Sequence, residues 1–543
     1  SATVETTTSR APIVVTTPND VKDSGDGYTS LREAYAAARN GDTIVFDLSG
    51  FTGQYDVEGA VSLNDTLTIQ KSITIDGQVD GGANIVVDGK SGAGKASGYY
   101  RILTVGNKSA VSLNNLTLQN GKGLKDSETN VSGDSGGAVY VRTGSDVTLN
   151  YVTLKNNSGN NGGAISIESS STKPTGATLT VVDCRFEDNN AHMKAGGAIY
   201  IVPNSTVTVT DTTFVGNYAN SGGAISVNKS EITLTNGVFE ENHADGQSTE
   251  NAGTKNGGGA LYAIDSAVTV DGATFADNKA TNEGGGFKLV GADSVGLITN
   301  STFTSNLNDG NTQHSVGGAI YLNEGELEIS ESTFSNNGFD DDGARTRNGG
   351  AIYVQSGKLT TSENASFGTL TGNAAQQGGA VYVAISQSGD VASVQGATFE
   401  ENEATEGGAV YVYSGPFSAT GGSFEGNVAT TGGAIYVGSN SNVADPIVTV
   451  DGVAFSGNEA TEGGAIYVWR GSVAVEGGEF NENVAKNGGA IYNRSETTLS
   501  NASFVGNIAE SGGAAYAASG TIAADKNVFE ANVATKYGGA VYV

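Results

Sequence analysis

The sequence predicts an all-β fold, a right-handed parallel β-helix with three strands in each turn (here called a rung) and a helix capping its N-terminal end. The tripeptide GGA occurs 14 times between residues 136 and 540, with one variant, GGGF, at residues 284–287. The motif F-x-x-N precedes most of these copies. Repeats spaced by about 20–50 residues are typical of solenoids, in which each repeat stacks on its neighbour.

The N-terminal region contains the one convincing helix pattern, within residues 28–46. Ser30 and Glu33 have the spacing of a capping box, and Gly41 is placed to end the helix. Leu31, Ala34, Tyr35 and Ala38 share one face. We expect this helix to cover the first rung. The predicted organisation is an N-terminal extension (1–26), a cap with the helix (27–60), irregular rungs (61–135) and regular repeats (136–543) that are expected to continue beyond residue 543.

The residues after each GGA predict a short strand. The first of them is apolar in all 15 copies, which indicates the core side. The next is tyrosine in most copies and Ser166, Ser226 or Lys288 in the others. A position that accepts serine and lysine is predicted to face water, so Tyr467→Ser is expected to cost little stability. The candidate aromatic strip for a glycan or a neighbouring molecule is Tyr353, Tyr382, Tyr411, Tyr436, Tyr467 and Tyr492; stacking between rungs is the favoured alternative.

The F-x-x-N motif predicts another strand and a turn. Its phenylalanine recurs in twelve copies and should stack inside. Its asparagine is expected to begin the turn, because Asn tolerates left-handed backbone angles, and to bond through its amide to the Asn one rung away. The glycine pair provides a second bend. An intervening segment such as residues 206–210 completes three strands per rung.

Composition excludes several classes of function. The 543-residue chain has a formal net charge of −30 and no basic cluster, which argues against nucleic acids and anionic membranes as partners. Its one cysteine, Cys184, cannot form an intrachain disulfide. No apolar run of about 18 residues exists, so no transmembrane segment is expected in this chain.

Two groups of motifs resemble known secreted proteins. The segments TSLREA (29–34) and GDTIVF (41–46) look like the CSLREA-type start of secreted bacterial β-helix proteins, with Thr29 where that family has cysteine. The pairing of GGA[ILV] with F-x-x-N resembles the repeats of polymorphic outer-membrane proteins, whose passengers are autotransported adhesins. The resemblance implies an extracellular or outer-surface bacterial location.

Three functions remain open from the residues. The favoured one is a non-catalytic adhesin, stalk or extracellular filament component, with a host or neighbouring-cell receptor, a glycan or other copies of itself as partner. The first alternative is a polysaccharide-active lyase or hydrolase, since parallel β-helices also host such enzymes. The pattern shows no dedicated pair of carboxylates, so catalytic residues are not assigned. The second alternative is a fibre subunit that stacks end to end.

Metal and cofactor chemistry has little support in the pattern. No cofactor is expected. Asp340, Asp341 and Asp342 are weak candidates for Ca²⁺, since they lack EF-hand or nonapeptide spacing. The three histidines His192, His243 and His314 all lie between an F-x-x-N and the next GGA, and solvated loop residues are the favoured interpretation.

Long insertions mark a candidate partner-binding region. The usual step from Phe to the following Gly-Gly is eight residues, but it is longer after Phe239, Phe303 and Phe334. Because all three insertions occur at the same turn, the loops 243–256, 307–316 and 338–348 are expected to form one lateral protrusion. Extra loops on repeat proteins often cluster on the binding face. The candidate residues are His243, Lys255, Leu307, His314, Asp341, Arg345 and Arg347.

Overall fold

A computed structural model describes most of the chain. The described residues are 10–23, 25–54, 56–57, 59–78, 84–90, 100–106, 108–123, 135–168, 176–246, 256–310, 315–339, 345–438 and 445–543. They form two compact units, Ser1–Thr233 and Leu234–Val543, each of which is described by itself. Both units are built from parallel strands in three sheets, which confirms the predicted parallel β-helix with three strands per rung.

The predicted helix is present at Leu31–Ala37. Ser30 is its N-cap, and the reciprocal capping box with Glu33 is formed as expected. Leu31 and Ala34 are buried. The C-terminal carbonyls are satisfied by a lysine outside the helix, because Lys71 Nζ donates to the carbonyl oxygens of Tyr35, Ala36 and Ala38.

The strands of the first unit fall into the three predicted positions. First strands, which follow the Gly-Gly bend in the regular rungs, are Leu67–Ile69, Leu103–Val105, Val139–Val141, Ile165–Ile167, Ile199–Ile201 and Ile225–Asn228. Second strands are Ile13–Val15, Thr43–Phe46, Ile73–Asp76, Ala110–Asn114, Asp146–Asn150, Thr178–Val182 and Thr206–Thr210. Third strands are Val61–Ser62, Ile85–Asp88, Leu116–Gln119, Thr153–Lys155, Arg185–Glu187 and Thr213–Val215. Turn strands are Asn190–Ala195 and Tyr218–Ser221, and the second strand Glu231–Thr235 contains the unit boundary.

The second unit repeats the same three positions. First strands are Leu261–Ile264, Phe287–Val290, Ile320–Asn323, Ile352–Val354, Val381–Ala384, Val410–Ser414, Ile435–Val437, Ile466–Val468, Ile491–Asn493, Ala515–Ala517 and Val541–Tyr542. Second strands are Ala267–Asp271, Val295–Thr299, Glu326–Ser330, Lys358–Thr360, Val391–Gln395, Pro416–Thr420, Ile447–Asp451, Ser472–Glu476, Glu496–Ser500 and Thr521–Asp525. Third strands are Val238–Glu240, Thr274–Ala276, Thr302–Thr304, Ser332–Ser335, Gly368–Thr371, Thr398–Glu400, Ser423–Glu425, Ala454–Ser456, Glu479–Asn481, Ser503–Val505 and Val528–Glu530. Turn strands are His243–Ala244, Lys279–Ala280, Leu307–Asn308, Ile508–Ser511 and Val533–Tyr537.

Pairing between rungs keeps equivalent residues in register. In the first strands, for example, Ile435 pairs with Ile466 and Tyr436 with Tyr467. Third-strand phenylalanines are consequently stacked inside, as predicted. The rings from Phe399 to Phe529 lie 4.4–4.9 Å apart between centroids. From Phe399 to Phe529, each rung therefore adds a ring to a continuous apolar column.

The asparagines of F-x-x-N form a buried ladder, which confirms the predicted amide bonds. In the second unit each Nδ2 donates to the Oδ1 of the next ladder Asn, from Asn242 to Asn532. The left-handed angle, however, belongs to the residue before the Asn, such as Glu241 at φ 53° or Gly426 at φ 61°. The prediction that Asn itself adopts this angle is wrong, because its side chain turns inward to bond along the stack.

The first glycine of the pair makes the second bend. Gly463, for example, has φ 66°, and a Cβ there would lie 2.3 Å from the carbonyl oxygen of Ile466. A Cβ on the second glycine, Gly464, would lie 2.1 Å from the carbonyl oxygen of Gly489 on the next rung. The pair is thus needed both for the backbone angle and for the close approach of neighbouring rungs.

Candidate binding edge of the second unit

The tyrosines after GGA form a second, buried ladder. Eight stacked pairs run from Tyr321 to Tyr542, with ring centroids 4.6–5.6 Å apart. Tyr467 is only 4% exposed, and the non-aromatic substitutes Ser166, Ser226 and Lys288 are each 2% exposed. The prediction that this position faces water is therefore wrong. The side chains do project from the outer face of the strand, but side chains of neighbouring rungs stack and cover one another.

The ladder hydroxyls lie in a mixed electrostatic environment. Burial raises the pKa of Tyr353 to about 12, Glu283 adds to the rise, and the nearby Arg347 guanidinium opposes it. Burial is also the main cause of the raised pKa of Tyr492, at about 12. At neutral pH these phenols are hence uncharged hydrogen-bonding groups. The Tyr321 hydroxyl donates to Gln355 Oε1 at 2.6 Å.

Burial of the ladder reverses the expected outcome at Tyr467. We expect Tyr467→Ser to lower the free energy of unfolding by about 2–3 kcal/mol, because it removes a buried ring and two stacking contacts. Denaturant unfolding measured by circular dichroism would test this. Tyr151→Ser is the control, since that side chain is 59% exposed and a change of less than about 0.5 kcal/mol is expected. Equal, small losses in both variants would restore the water-facing interpretation.

The three insertions begin at one edge of the second unit. The turn strand His243–Ala244 pairs with Lys279–Ala280, which pairs with Leu307–Asn308. Their ends are also in register, because parallel bridges join Gly257 to Glu283, Glu283 to Val316 and Val316 to Asn348. Both ends of the first two insertions and the end of the third therefore lie along the same edge, as required for a shared protrusion.

Hydrogen bonds tie the bases of the second and third insertions together. Ser315 Oγ donates to the carbonyl oxygen of Asn308 at 2.7 Å and closes the second insertion. Thr346 Oγ1 from the third insertion donates to that same oxygen at 3.3 Å. The amide of Arg347 donates to the carbonyl oxygen of Ser315 at 2.9 Å. These loops thus leave from a common, ordered base.

The candidate loop residues occupy different environments. His243 is half-buried at the start of the first insertion, and Leu307 is buried at the start of the second. Arg345 is exposed and pairs with Glu403 at 3.0 Å. Arg347 is exposed and acts on the pKa of both Tyr353 and Tyr382, which places its charge beside the tyrosine ladder. The described edge therefore combines loop bases, two arginines and ladder hydroxyls.

Other candidates fall outside the described residues. These are Lys255, His314 and the three aspartates Asp340, Asp341 and Asp342. His192 lies in the turn strand Asn190–Ala195. Within the described ranges, no group of three or more His, Cys, Asp or Glu side chains is arranged to hold a metal ion. Cys184 is buried, and this burial raises the pKa of its thiol to about 11.

Two features of the second unit were not predicted. Lys288 replaces a ladder tyrosine and forms an ion pair with Glu283 at 2.9 Å, with both side chains 2% exposed. The guanidinium of Arg494 stacks on Trp469 at 4.1 Å from the ring centroid. The only sequence signal for the ion pair of Lys288 with Glu283 was the single GGGF variant. The stacked pair of Arg494 and Trp469 lies outside the repeated motif.

Comparisons with known proteins agree with the repeats. Residues 452–468 and 477–494 match the model of the Chlamydia polymorphic membrane protein repeat. The probable autotransporter YfaL of Escherichia coli (strain K12) is 28% identical over 233 residues, 38% of this chain, and the chain spans 15% of that protein. A solved structure of a mutant of the PL6 family alginate lyase AlyGC aligns with 96% of this chain and with 89% of the lyase chain, at 11% sequence identity. Its TM-score is 0.24, so this similarity carries no argument.

Across the residues that the structure describes, no helix is both long enough and apolar enough to span a bilayer. What the chain does carry is a stack of GGA and F-x-x-N repeats, and both matched stretches fall on these repeats. The chain is therefore a parallel β-helix similar to the passengers of polymorphic outer-membrane proteins and autotransporters.

Proposed function

We propose that this chain is the surface-exposed, non-catalytic β-helix of a bacterial adhesin. The polymorphic membrane protein repeats and the autotransporter relative support a location at the bacterial outer surface. The observation that carries the binding role is the alignment of the loop bases on one edge of the second unit. Loops presented by a rigid scaffold are a common binding arrangement.

The chemistry of the edge fits recognition of another molecule. Arg345 and Arg347 are exposed there in a chain with a net charge of −30, and Arg345 is paired with Glu403. The polar loop bases supply hydrogen-bonding groups beside these cations. Such a mixed polar edge is suited to a receptor or to a neighbouring copy of the chain.

Shortening all three insertions tests the proposal. Residues 243–257, 307–316 and 338–348 would each be replaced by the four-residue turn 428–431 of a regular rung, which restores the eight-residue step. Because long surface loops contribute little to folding free energy, we expect an unchanged circular dichroism spectrum. Adherence of chain-coated beads to cultured epithelial cells is expected to fall at least about tenfold, since the loops carry the contact.

A matched control separates this edge from loop shortening in general. Deleting Gln387 and Ser388 shortens an exposed connection between a first and a second strand, at another corner of the rung. That variant is expected to adhere like the parent chain. Full adherence of the loop-shortened chain would refute the proposal.

A further inference from the structure

A second surface feature lies beside the tyrosine ladder, two residues after each ladder position. Here the rungs present in turn Gln355, Ala384, Tyr413, Gly438, Trp469, Arg494 and Ala518. Two aromatic side chains and a cation therefore occur within four consecutive rungs of this column. Tyr413 and Trp469 are half-buried against the ladder, whereas Arg494 is exposed.

The guanidinium of Arg494 has hydrogen-bonding capacity to spare. It stacks on Trp469 and hydrogen-bonds to the Tyr467 hydroxyl. Within the described part of the chain, no acidic group lies within 4 Å of it; Glu462 acts on it electrostatically from farther away. A guanidinium carries five N–H donors, so most of these donors face solvent. An exposed cation with unused donors in a strongly acidic chain is an attractive site for an anion.

In the first unit, an arginine that also stacks on an aromatic ring uses its donors differently. Arg101 also stacks on an aromatic ring, that of Tyr140, at 4.6 Å from the centroid. Its Nε donates to the carbonyl oxygen of Gly136 and its Nη2 to that of Ser135. Arg101 therefore uses its N–H donors to stabilise the fold. Arg494 has the same stacking, but its guanidinium makes no such bonds to the backbone of the described residues.

The rung before Trp469 has a glycine at the position next to Trp469. Its residue in this column is Gly438, with φ 133°, where a Cβ would lie 3.0 Å from Trp469 Cβ. Arg494 belongs to the following rung and covers one indole face, and the Trp469 side chain keeps part of its surface accessible to solvent. Tyr413 stands one rung farther back, about 10 Å from Trp469 along the stack by the usual strand spacing. The column is thus a shallow aromatic platform with a cation at one side.

We propose that Trp469, Arg494 and Tyr413 bind a saccharide that carries a carboxylate. A pyranose ring presents C–H groups that pack flat on an indole, and Arg is suited to bidentate recognition of the carboxylate. The neighbours Ala384, Gly438 and Ala518 are small, so the platform offers no deep pocket for the side chains of a peptide. This site is separate from the loop edge and does not depend on its function.

The single tryptophan makes the site directly observable. Trp469 is the one Trp in the chain, so fluorescence excited selectively at the indole reports on this platform alone. The probes are trigalacturonate and sialyllactose, with cellotriose and lactose as the neutral sugars. We expect saturable quenching or a spectral shift with both acidic sugars, and a response at least about tenfold weaker in affinity with the neutral ones.

Variants assign the response to the guanidinium. Arg494→Gln keeps the indole and is expected to weaken binding of the acidic sugars about tenfold or more, whereas Arg494→Lys should retain part of it. Arg101→Gln is the matched control and should bind like the parent chain. Circular dichroism and thermal unfolding would establish that each variant is folded.

Each other outcome overturns the proposal. Equal binding of neutral and acidic sugars removes the role of the carboxylate, and equal binding by Arg494→Gln removes the role of Arg494. A response to an acidic peptide such as tetraglutamate that matches the response to the sugars would identify a protein ligand instead. No response to either acidic sugar at millimolar concentration rejects the site. The loop-shortened chain is expected to keep the full fluorescence response, so failure of the adhesin proposal is distinguishable.

Discussion

Replacing Asn427 with leucine is expected to lower the free energy of unfolding of the second unit by roughly 3–6 kcal/mol. Its Nδ2 donates to the carbonyl oxygen of Phe399 at 3.0 Å and to Asn458 Oδ1 at 2.9 Å. Its Oδ1 accepts the backbone and side-chain N–H groups of Asn402, each at 3.0 Å. Leucine leaves these buried partners without their hydrogen bonds, and each unsatisfied buried group costs about 1–3 kcal/mol.

The ladder geometry raises this cost above that of an isolated hydrogen bond. Asn427 is fully buried, so water cannot replace the missing amide. Because each amide both donates and accepts along the stack, the hydrogen bonds polarise one another, and one missing amide interrupts the row of hydrogen bonds. Chemical unfolding of the parent and the variant, followed by circular dichroism and by Trp469 fluorescence, would measure the change.

Asn481→Leu is the matched control for this prediction. Asn481 lies two residues before a ladder Asn, on the half-buried outer side of the strand Glu479–Asn481. We expect its replacement to change the free energy of unfolding by less than about 0.5 kcal/mol. Equal destabilisation by the two variants would show that the ladder bonds contribute nothing specific.

Much of the fold could be predicted because the repeat constrains every rung in the same way. The alternation after GGA identified the core side, and the recurring Phe and Asn identified two inner columns. The capping box at Ser30 and Glu33 depends on four consecutive residues and was equally accessible. In each case local sequence contains the whole physical cause. The same reasoning failed where the cause lies in neighbouring rungs.

The tyrosine ladder illustrates that failure. Strand periodicity predicts from which face of the sheet a side chain projects, but it does not predict what packs against that face. Stacked rings cover one another, so Tyr411 is 4% exposed on the outer face of its strand. Acceptance of lysine at this position predicts contact with water. Lys288 is instead kept buried by its ion pair with Glu283.

The candidate sites were predictable only in part. Insertion lengths located the loop edge, since a solenoid places every insertion at the same turn on one side. The repeat does not predict the platform at Trp469, because its residues lie at a variable position at the end of the first strand or in the connection that follows it. Tyr413, Gly438 and Arg494 each follow a ladder tyrosine by two residues, but the residue type at this position varies from rung to rung. Their proximity follows from the register of the rungs, which is a property of the stack.

Breaking the buried ion pair of the ladder should have an effect of similar size to that at Asn427. We expect Lys288→Met to lower the free energy of unfolding by about 3–5 kcal/mol, because it leaves the Glu283 carboxylate buried without its cation. Lys288 Nζ also lies 5.1 Å from the ring centroid of Tyr262 and 5.7 Å from that of Tyr321. Both cation–π contacts would be lost with the charge.

A double variant and a surface pair make this prediction specific. Glu283→Gln with Lys288→Tyr reproduces the arrangement of the rung that carries Gln377 and Tyr382, and should recover stability to within about 1 kcal/mol of the parent chain. Lys358→Met breaks the exposed pair with Glu326 and should cost less than about 1 kcal/mol. If Lys288→Met costs no more than Lys358→Met in denaturant unfolding, the buried pair does not hold this part of the ladder together.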